Sequence, residues 1–176
     1  MTKSVAIPAD CQLYSRQHDA DFADAYEILV TTSSLTATEI YRAITRQTPG
    51  WVEGLMRVRN QVVKPFGLKN LGTLAGVEPG DAIVGRRLGL FEVVSSQTNE
   101  LVLQDNDKHL LVQLSLFKQK HDAIHDRLTL STVVHVHNWL GRIYMAFVGP
   151  AHKIVAPAVI RQAPQAVAAS LRELRA

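Results

Sequence analysis

Two histidines separated by one residue, His135 and His137, are the side chains whose type and spacing best suit metal chemistry. Alternate residues of a strand point to the same side, so both imidazoles would lie on one face of a sheet. A zinc site needs three or four ligands. The side chains that could complete one are His109, Asp105, Asp107, His121 and His125. Because no spacing shows these ligands converging, we favour two polar residues on a solvated or interface-facing sheet surface and predict no metal site.

Other catalytic signatures are weak. The single cysteine, Cys11, excludes an intrachain disulfide and fits a reducing compartment. We considered it as a nucleophile and favour a surface or packed thiol in the N-terminal segment. The sequence contains no G-x-S-x-G, P-loop, C-x-x-C or GxGxxG motif. We therefore predict no catalytic residue and no cofactor.

Size and charge fit an ordinary globular domain of 176 residues with a net charge of +3. The basic residues are spread along the chain without aromatic partners, so nucleic-acid binding is not expected. The start lacks the apolar core of a secretory signal. The longest uncharged apolar run near the C-terminus, Ile143 to Val148, is far shorter than the ~20 residues that a membrane span needs. We predict a cytoplasmic protein without an integral membrane span.

From Leu88 to Asn138 the chain alternates between apolar and polar residues with the period of β-strands. Two long strands are predicted around 110–120 and 127–137, following an earlier one at 21–30. Their apolar faces consist of Leu110, Val112, Leu114, Leu116, Leu128, Leu130, Thr132, Val134 and Val136. This pattern favours an antiparallel sheet with one buried and one wet face, and the two histidines fall on the wet face.

Two short helices are predicted between the first strand and this sheet region. Thr36 and Glu39 form a capping box, in which each side chain satisfies a free amide at the helix start. The spacing predicts that the second helix packs through Trp51, Leu55, Val58 and Val62. The glycines between 67 and 90 are assigned to turns and strand ends rather than to a dinucleotide-binding loop.

A long apolar helix is predicted after Asn138, which is a favourable helix-capping residue. Gly149-Pro150 and Pro157 should kink or break it, because proline lacks an amide hydrogen. Apolar residues recur at spacings of four and three through Leu140, Tyr144, Phe147, Ala151, Ile154 and Ala158. A helix this apolar should be heavily buried, and its natural partner is the apolar face of the sheet.

A motif in this helix resembles the DUF2867 family of uncharacterised bacterial proteins. It reads Asn138-Trp139-Leu140-Gly141-Arg142-x-Tyr144, then Pro150-x-His152, Pro157 and Arg161, with a further likeness at Gly85–Val94. The order of elements is similar to the helix-grip arrangement of the START/Bet v 1-like (SRPBCC) superfamily. The resemblance implies an α+β fold in which a curved antiparallel sheet wraps on the long C-terminal helix.

This resemblance sets the expected domain organisation. We predict an irregular segment at 1–20, a single helix-grip domain at 21–165 and a short helix or tail at 166–176. The family supplies no catalytic residues to transfer to this chain.

A sheet that grips one helix leaves an apolar cleft, and such clefts hold hydrophobic ligands. We predict a binding module for a small hydrophobic or amphipathic, lipid-like molecule, without catalysis. The residues expected to line the cleft are Val112, Leu114, Leu116, Leu130, Thr132, Val134, Arg142, Tyr144, Phe147 and Ile154. Arg142 would meet a headgroup at the cleft mouth, or alternatively tie the helix to neighbouring backbone.

Two alternatives stay open at this point. The cleft could host a cyclase- or hydratase-like enzyme, for which Thr132, Tyr144 and Arg142 are the nearby polar candidates. The protein could instead be a non-catalytic interaction protein with a filled core and a working outer surface at His135 and His137, assembled as a homodimer.

Overall fold

The computed structural model describes residues 1–63 and 82–174, whose backbone forms one antiparallel sheet and a set of helices. The strands are β1 (Lys3–Val5), β2 (Phe22–Thr31), β3 (Arg87–Leu88), β4 (Phe91–Ser96), β5 (Glu100–Asn106), β6 (Leu110–Lys120) and β7 (His125–Val136). The helices are α1 (Ala37–Arg46), α2 (Gly50–Val63), α3 (Trp139–Ile160) and α4 (Ala163–Glu173), with a short 3-10 helix at Ser15–Gln17. The strand order is β1-β2-β7-β6-β5-β4-β3.

The two long central strands pair as their alternation predicts. In β6 and β7, Leu114 lies opposite Thr132 and Leu116 opposite Leu130, so the predicted apolar faces share one side of the sheet. Strand β2 continues this side, with Asp24 opposite Thr132 and its neighbours in step. We call this side the inner face.

The inner face is covered by α1, α3 and α4, which confirms the predicted α+β helix-grip fold. Helix α1 starts at the predicted capping box: Glu39 N donates to Thr36 Oγ1, and Thr36 N donates to Glu39 Oε2. The main core lies between these helices and the sheet. Its fully buried members include Ile40, Leu101, Leu103, Leu128, Ile160, Ala163, Ala166 and Val167.

Helix α3 runs without interruption from Trp139 to Ile160, with Pro150 and Pro157 inside it. A break at Gly149-Pro150 or near Pro157 is therefore wrong, and the alternative of a kink at these positions stays a prediction. The chain breaks later, after Ile160, where Pro164 opens the first turn of α4 as proline does at helix starts. By length and composition the helical region Trp139–Glu173 also qualifies as a candidate membrane span.

The opposite side of the sheet, the outer face, is covered by the N-terminal segment. Ile7, Cys11 and Leu13 are buried there, in a second core cluster with Ala25, Val102, Phe117 and Val133. Strand β1 extends the cover by pairing with β2. The prediction of a wet outer face is therefore wrong for its central part, where Ser115, Thr129 and Ser131 are buried. The predicted division into 1–20, 21–165 and 166–176 stays a prediction.

Two of the predicted turn glycines are described, and both adopt backbone conformations that favour glycine. Gly85 has φ 82° and Gly89 has φ 62°, on either side of β3. The part of the glycine-rich stretch between 67 and 81 lies outside the described residues.

The start of α3 is fixed to the turn between β5 and β6. Asn138 caps the helix by accepting from Gly141 N at 3.2 Å, and its Nδ2 donates to Lys108 O at 2.7 Å. His109 Nδ1 also lies 3.2 Å from Asn138 Oδ1. Gly141 packs so closely that a Cβ on it would meet the His109 carbonyl and, at 2.9 Å, Val136 Cγ1.

Replacing this glycine tests the anchor. Gly141→Ala should lower the free energy of unfolding by about 1–3 kcal/mol, because the new methyl group must displace backbone rather than a side chain. The matched control is Gly149→Ala in the same helix, where an added Cβ has nothing within 4 Å. That substitution should stabilise by roughly 0.5–1 kcal/mol through helix propensity. Denaturant unfolding that shows the same change in both variants would contradict the anchor.

A buried tyrosine should make the fold less stable at high pH. Tyr41 is 8% exposed in the main core, and burial raises its pKa above the ordinary value of 10.0. The folded state therefore keeps the phenol proton at a pH where the unfolded chain releases it. This contribution to stability is fully present below pH 10 and is lost as the pH rises further.

We expect Tyr41→Phe to flatten the loss of stability above pH 10. In the wild-type protein this one phenol should contribute a slope of up to about 1.4 kcal/mol per pH unit. The measurement is denaturant unfolding at a series of alkaline pH values, with Tyr14→Phe as the control for an exposed hydroxyl. Equal slopes in wild type and Tyr41→Phe would show that the phenol ionises equally easily in both states.

Candidate functional site

A cavity of about 200 Å³ lies between the inner face of the sheet and α3. Strands β2 and β4 to β7 form its floor, and α1, α2 and α3 close it from above. The residues from the sheet side are Phe22, Leu90, Phe91, Asp105, Asp107, Leu110, Val112, Leu114, Leu116, Leu130, Thr132 and Val134. Those from the helices are Tyr41, Ile44, Thr45, Met56, Tyr144, Met145, Val148, His152, Val155, Ala156, Val159 and Ile160. Most of these side chains are apolar, so the cavity suits an apolar occupant.

Seven of the ten residues predicted to line a cleft do line this cavity. They are Val112, Leu114, Leu116, Leu130, Thr132, Val134 and Tyr144. All but Tyr144 come from β6 and β7. Alternate residues of a strand lie on the same face, so the register of the two strands determines which of their side chains meet the cavity. The six strand residues therefore lie where they were predicted to lie, on the wall of a space below α3.

The other three predicted residues, Arg142, Phe147 and Ile154, do not line the cavity. Arg142 is exposed, and Phe147 and Ile154 are 76% and 64% exposed. Their predicted placement in the cleft is wrong. The side that faces the sheet is offset from the predicted stripe by about one residue, or about 100° of helix rotation. It consists of Met145, Val148, His152, Val155, Ala156, Val159 and Ile160.

Helix α3 also differs from its prediction in burial. Only Gly141, Gly149, Ala156 and Ile160 of its 22 residues are buried, so a heavily buried helix was the wrong expectation. Apolar residues occur on both sides of the helix, and the spacing alone was unable to select the side that meets the sheet.

One polar cluster interrupts the apolar wall, and it joins α3 to two strands. His152 Nε2 lies 3.1 Å from Thr132 Oγ1 and 3.3 Å from Asp24 Oδ1. Asp24 and Thr132 are cross-strand neighbours on the inner face, which explains how one imidazole reaches both. The ring also packs edge-on against Phe22, with the ring centroids 5.7 Å apart. We call Asp24, Thr132 and His152 the polar cluster.

The hydrogen-bonding roles in the polar cluster depend on the tautomer of His152. If the Asp24 carboxylate is the acceptor, its contact with His152 places a proton on Nε2. That nitrogen then has no lone pair for Thr132, whose hydroxyl oxygen accepts from the same N–H. The hydroxyl hydrogen of Thr132 is left to donate elsewhere. In this arrangement the cavity wall offers the Thr132 hydroxyl as a donor, and Asp24 Oδ2 in the same cluster is a buried acceptor without a hydrogen-bond partner among the described residues.

This geometry differs from a catalytic relay. In a relay, the acid and the nucleophile contact opposite nitrogens of the imidazole, so that one orients the ring while the other loses its proton. Here Asp24 and Thr132 meet the same nitrogen. The nearby Tyr26 has its pKa raised by burial and by the Asp24 carboxylate, which disfavours the phenolate as a base. Of the polar residues proposed for an enzyme, Thr132 and Tyr144 line the cavity and Arg142 does not.

The end of the cavity near the start of α3 carries two acidic residues. Asp105 is buried, and its Oδ1 lies 3.6 Å from Nη2 of Arg87. Asp107 Oδ1 accepts from the backbone amides of His109 at 2.7 Å and Leu110 at 3.0 Å. Asp107 therefore shapes the β5–β6 turn on which α3 begins.

The two histidines that suggested a metal site make structural contacts on the outer side. His135 Nε2 lies 3.3 Å from Asp19 Oδ1, and His137 Nδ1 lies 3.0 Å from the Asp107 carbonyl oxygen. The contact with His135 lowers the pKa of Asp19. Within residues 1–63 and 82–174, no group of three potential ligands is close enough to hold a metal ion.

Cys11 belongs to a second buried polar group, under the N-terminal segment. Glu100 accepts from Ser115 Oγ at 2.6 Å and from Gln12 N at 3.0 Å, and Cys11 Sγ lies 3.3 Å from Glu100 Oε1. Burial is the main cause that raises the pKa of the Cys11 thiol, so the reactive thiolate is disfavoured. The arrangement ties the segment to the sheet and does not resemble a nucleophile site.

Asp24 and His152 were not among the predicted site residues. A usable signal was present: Asp24 interrupts an otherwise apolar strand face that contains Phe22, Tyr26 and Ile28. A carboxylate at such a position needs a partner once it is buried. Identifying that partner required the pairing of β2 with β7, which residue spacing does not supply.

Most of the chain matches one protein family. Residues 16–159 match the family model described as a protein of unknown function, DUF2867. No curated protein and no solved structure matches the chain. The matched range contains strands β2 to β7 and the complete polar cluster. It also contains all of α3 except its last residue. The chain therefore belongs to the DUF2867 family.

Proposed function

We propose that this protein binds a small, mostly apolar molecule in the cavity between the inner face and α3, without catalysis. The observation that carries the proposal is a cavity of about 200 Å³ with a mainly apolar wall and one polar cluster. Protein interiors are normally packed to the density of organic crystals, and an unfilled space of this size is uncommon. A filled core, which the alternative interaction protein would have, leaves no such space.

The volume limits the ligand. A cavity of roughly 150 Å³ accepts benzene, whereas drug-sized ligands occupy roughly 300–1,000 Å³. The cavity here suits a molecule with one or two rings or a short branched chain. A long-chain lipid would require α3 to move away from the sheet.

The polar cluster suggests one chemical feature of the ligand. With the proton on His152 Nε2, the Thr132 hydroxyl keeps a hydrogen to donate, and Thr132 lines the cavity. A ligand with a carbonyl or ether oxygen would satisfy this donor, while its apolar remainder would contact the surrounding side chains. We therefore propose an apolar molecule that carries a hydrogen-bond acceptor.

The helix-grip fold supports a place in the START/Bet v 1-like superfamily, in which a space between sheet and helix is the usual ligand site. An enzyme is the second candidate, favoured by one observation: the titratable His152 lies in the cavity wall. Mass spectrometry of molecules extracted from the purified protein separates the two. A binding protein should release one compound. An enzyme should release both a substrate and its product, and the His152→Gln variant should then release the substrate alone.

Filling the cavity should abolish binding. Val112→Phe places a ring in the space below α3, and we expect it to weaken the binding of acetylnaphthalene more than about tenfold, because the ring takes the ligand's place. The control is Val94→Phe, the same substitution at an exposed position of β4. Titration calorimetry supplies the Kd, and thermal unfolding verifies the fold of both variants. Unchanged affinity in Val112→Phe would place any bound molecule outside this cavity.

A ligand pair tests the hydrogen bond from Thr132. Acetylnaphthalene and ethylnaphthalene have similar shapes, and only the first carries an acceptor. Between wild type and Thr132→Val, the ratio of their Kd values should shift by about 2–12-fold against the ketone, which corresponds to one net hydrogen bond. If both ligands lose affinity by the same factor, the hydroxyl is not a donor to the ligand.

A further inference from the structure

The outer side of α3 carries a row of large apolar side chains that nothing in the described chain covers. Trp139 is 71% exposed and Ile143 47%, and Phe147 and Ile154 are more than half exposed as well. At 100° per residue these four positions fall within an arc of about 80°. We call Trp139, Ile143, Phe147 and Ile154 the apolar row. Contiguous exposed apolar surface of this kind marks an interaction site.

The charges beside the apolar row have one sign. Arg142 and Lys153 lie on one flank of it, within about 60° of Trp139 around the helix, and both are exposed. Arg161 follows at the end of α3 and is also exposed. From Trp139 to Arg172 the sequence contains no aspartate or glutamate. A helix face that joins aromatic and aliphatic residues to cations, without an acidic residue of its own, is complementary to an anionic lipid interface.

The packing of the helix shows how it could meet a bilayer. Its inner side closes the cavity through residues such as Val148 and Val155, and His152 is bound to two strands. Ile160 and Ala163 belong to the main core. Insertion across a membrane would break all of these contacts and would place Arg142 and Lys153 in hydrocarbon. A helix that lies along the membrane surface keeps them intact.

We propose that the outer side of α3 docks on an anionic lipid bilayer, with the apolar row in the interfacial layer and the cations at the headgroups. This proposal goes beyond ligand binding and does not require it. A second copy of the chain is a poorer occupant, because a two-fold contact through this face would bring Arg142 and Lys153 against cations of the partner. Docking would bring α3, which covers the cavity, next to the bilayer, and small apolar molecules dissolve in the bilayer interior.

The experiment is cosedimentation of the full chain with vesicles of phosphatidylglycerol and phosphatidylcholine, compared with vesicles of phosphatidylcholine alone. Wild type should bind the anionic vesicles, more weakly at high salt. Phe147→Glu and Ile154→Glu should each reduce the partition coefficient more than about tenfold, since each removes a buried apolar side chain from the interface. The matched control is Ile124→Glu, whose isoleucine is 66% exposed in the β6–β7 turn and should bind as wild type.

The electrostatic part has its own matched pair. Arg142→Gln with Lys153→Gln should weaken binding to anionic vesicles by about fivefold for each cation removed. Arg46→Gln with Arg57→Gln removes the same charge from the exposed surfaces of α1 and α2 and should have a much smaller effect. A drop of equal size in both double variants would show attraction by net charge without docking through α3.

Three results would overturn the proposal. These are no binding of wild type to anionic vesicles, equal binding by Ile154→Glu and Ile124→Glu, or a dimer in sedimentation velocity that Ile154→Glu dissociates without any vesicle binding. The last result would assign the apolar row to a second copy. Because Phe147 and Ile154 lie outside the cavity, acetylnaphthalene affinity should be unchanged in these variants, so failure of membrane docking is distinguishable from failure of ligand binding.

Discussion

The structure depends on a long helix that is fixed to the sheet at both of its ends. At its start, Asn138 and Gly141 dock α3 on the β5–β6 turn through the backbone of Lys108 and His109. At its end, Ile160 is buried in the main core. Between these ends, His152 joins α3 to β2 and β7, so the helix is held above the inner face at three places. The cavity is the space that the side chains between these attachments leave unfilled.

The two faces of the sheet show the difference between filled and unfilled space. On the outer face, the N-terminal segment places Ile7, Cys11 and Leu13 against the strands, and Glu100 satisfies the amide of Gln12. Buried polar groups are costly unless they are paired, and this carboxylate accepts several hydrogen bonds. The outer face thus has the properties of a structural interface. The inner face combines an open volume with polar side chains that are only partly hydrogen-bonded: Asp24 Oδ2 is buried without a hydrogen-bond partner among the described residues, and Thr132 lines the cavity.

The strands were predictable in detail because a period of two allows only two faces, and the apolar residues choose between them. The helices were predictable in extent, through the capping box at Thr36 and the cap at Asn138, but not in rotation. In α2 the predicted face contained Trp51 and Leu55, which are exposed, whereas Val52 is fully buried. The same error of one residue occurred in α3. The predicted positions Val58 and Val62 lie outside the side chains that the structure describes.

The failures in rotation have a physical cause. Amphipathic spacing identifies the buried side of a helix only when the other side is polar. Helix α3 is apolar on both sides, so the spacing was consistent with more than one orientation. The covering of the outer face and the pairing of Asp24 with His152 were hidden for another reason. Both depend on contacts between segments far apart in the chain, which local patterns do not encode.

The apolar character of α3 on its outer side is more than the fold requires. The cavity and the main core use Val148, His152, Val155, Ala156 and Ile160, all on the inner side. Polar residues in place of Phe147 or Ile154 would leave those contacts unchanged. They would also lower the tendency to aggregate, because exposed apolar surface promotes aggregation. The exposed tryptophan, phenylalanine and two isoleucines of the apolar row are accounted for if this side of the helix meets the second apolar environment that we propose. A single helix that separates an internal cavity from an external apolar phase would be apolar on both sides for two independent reasons.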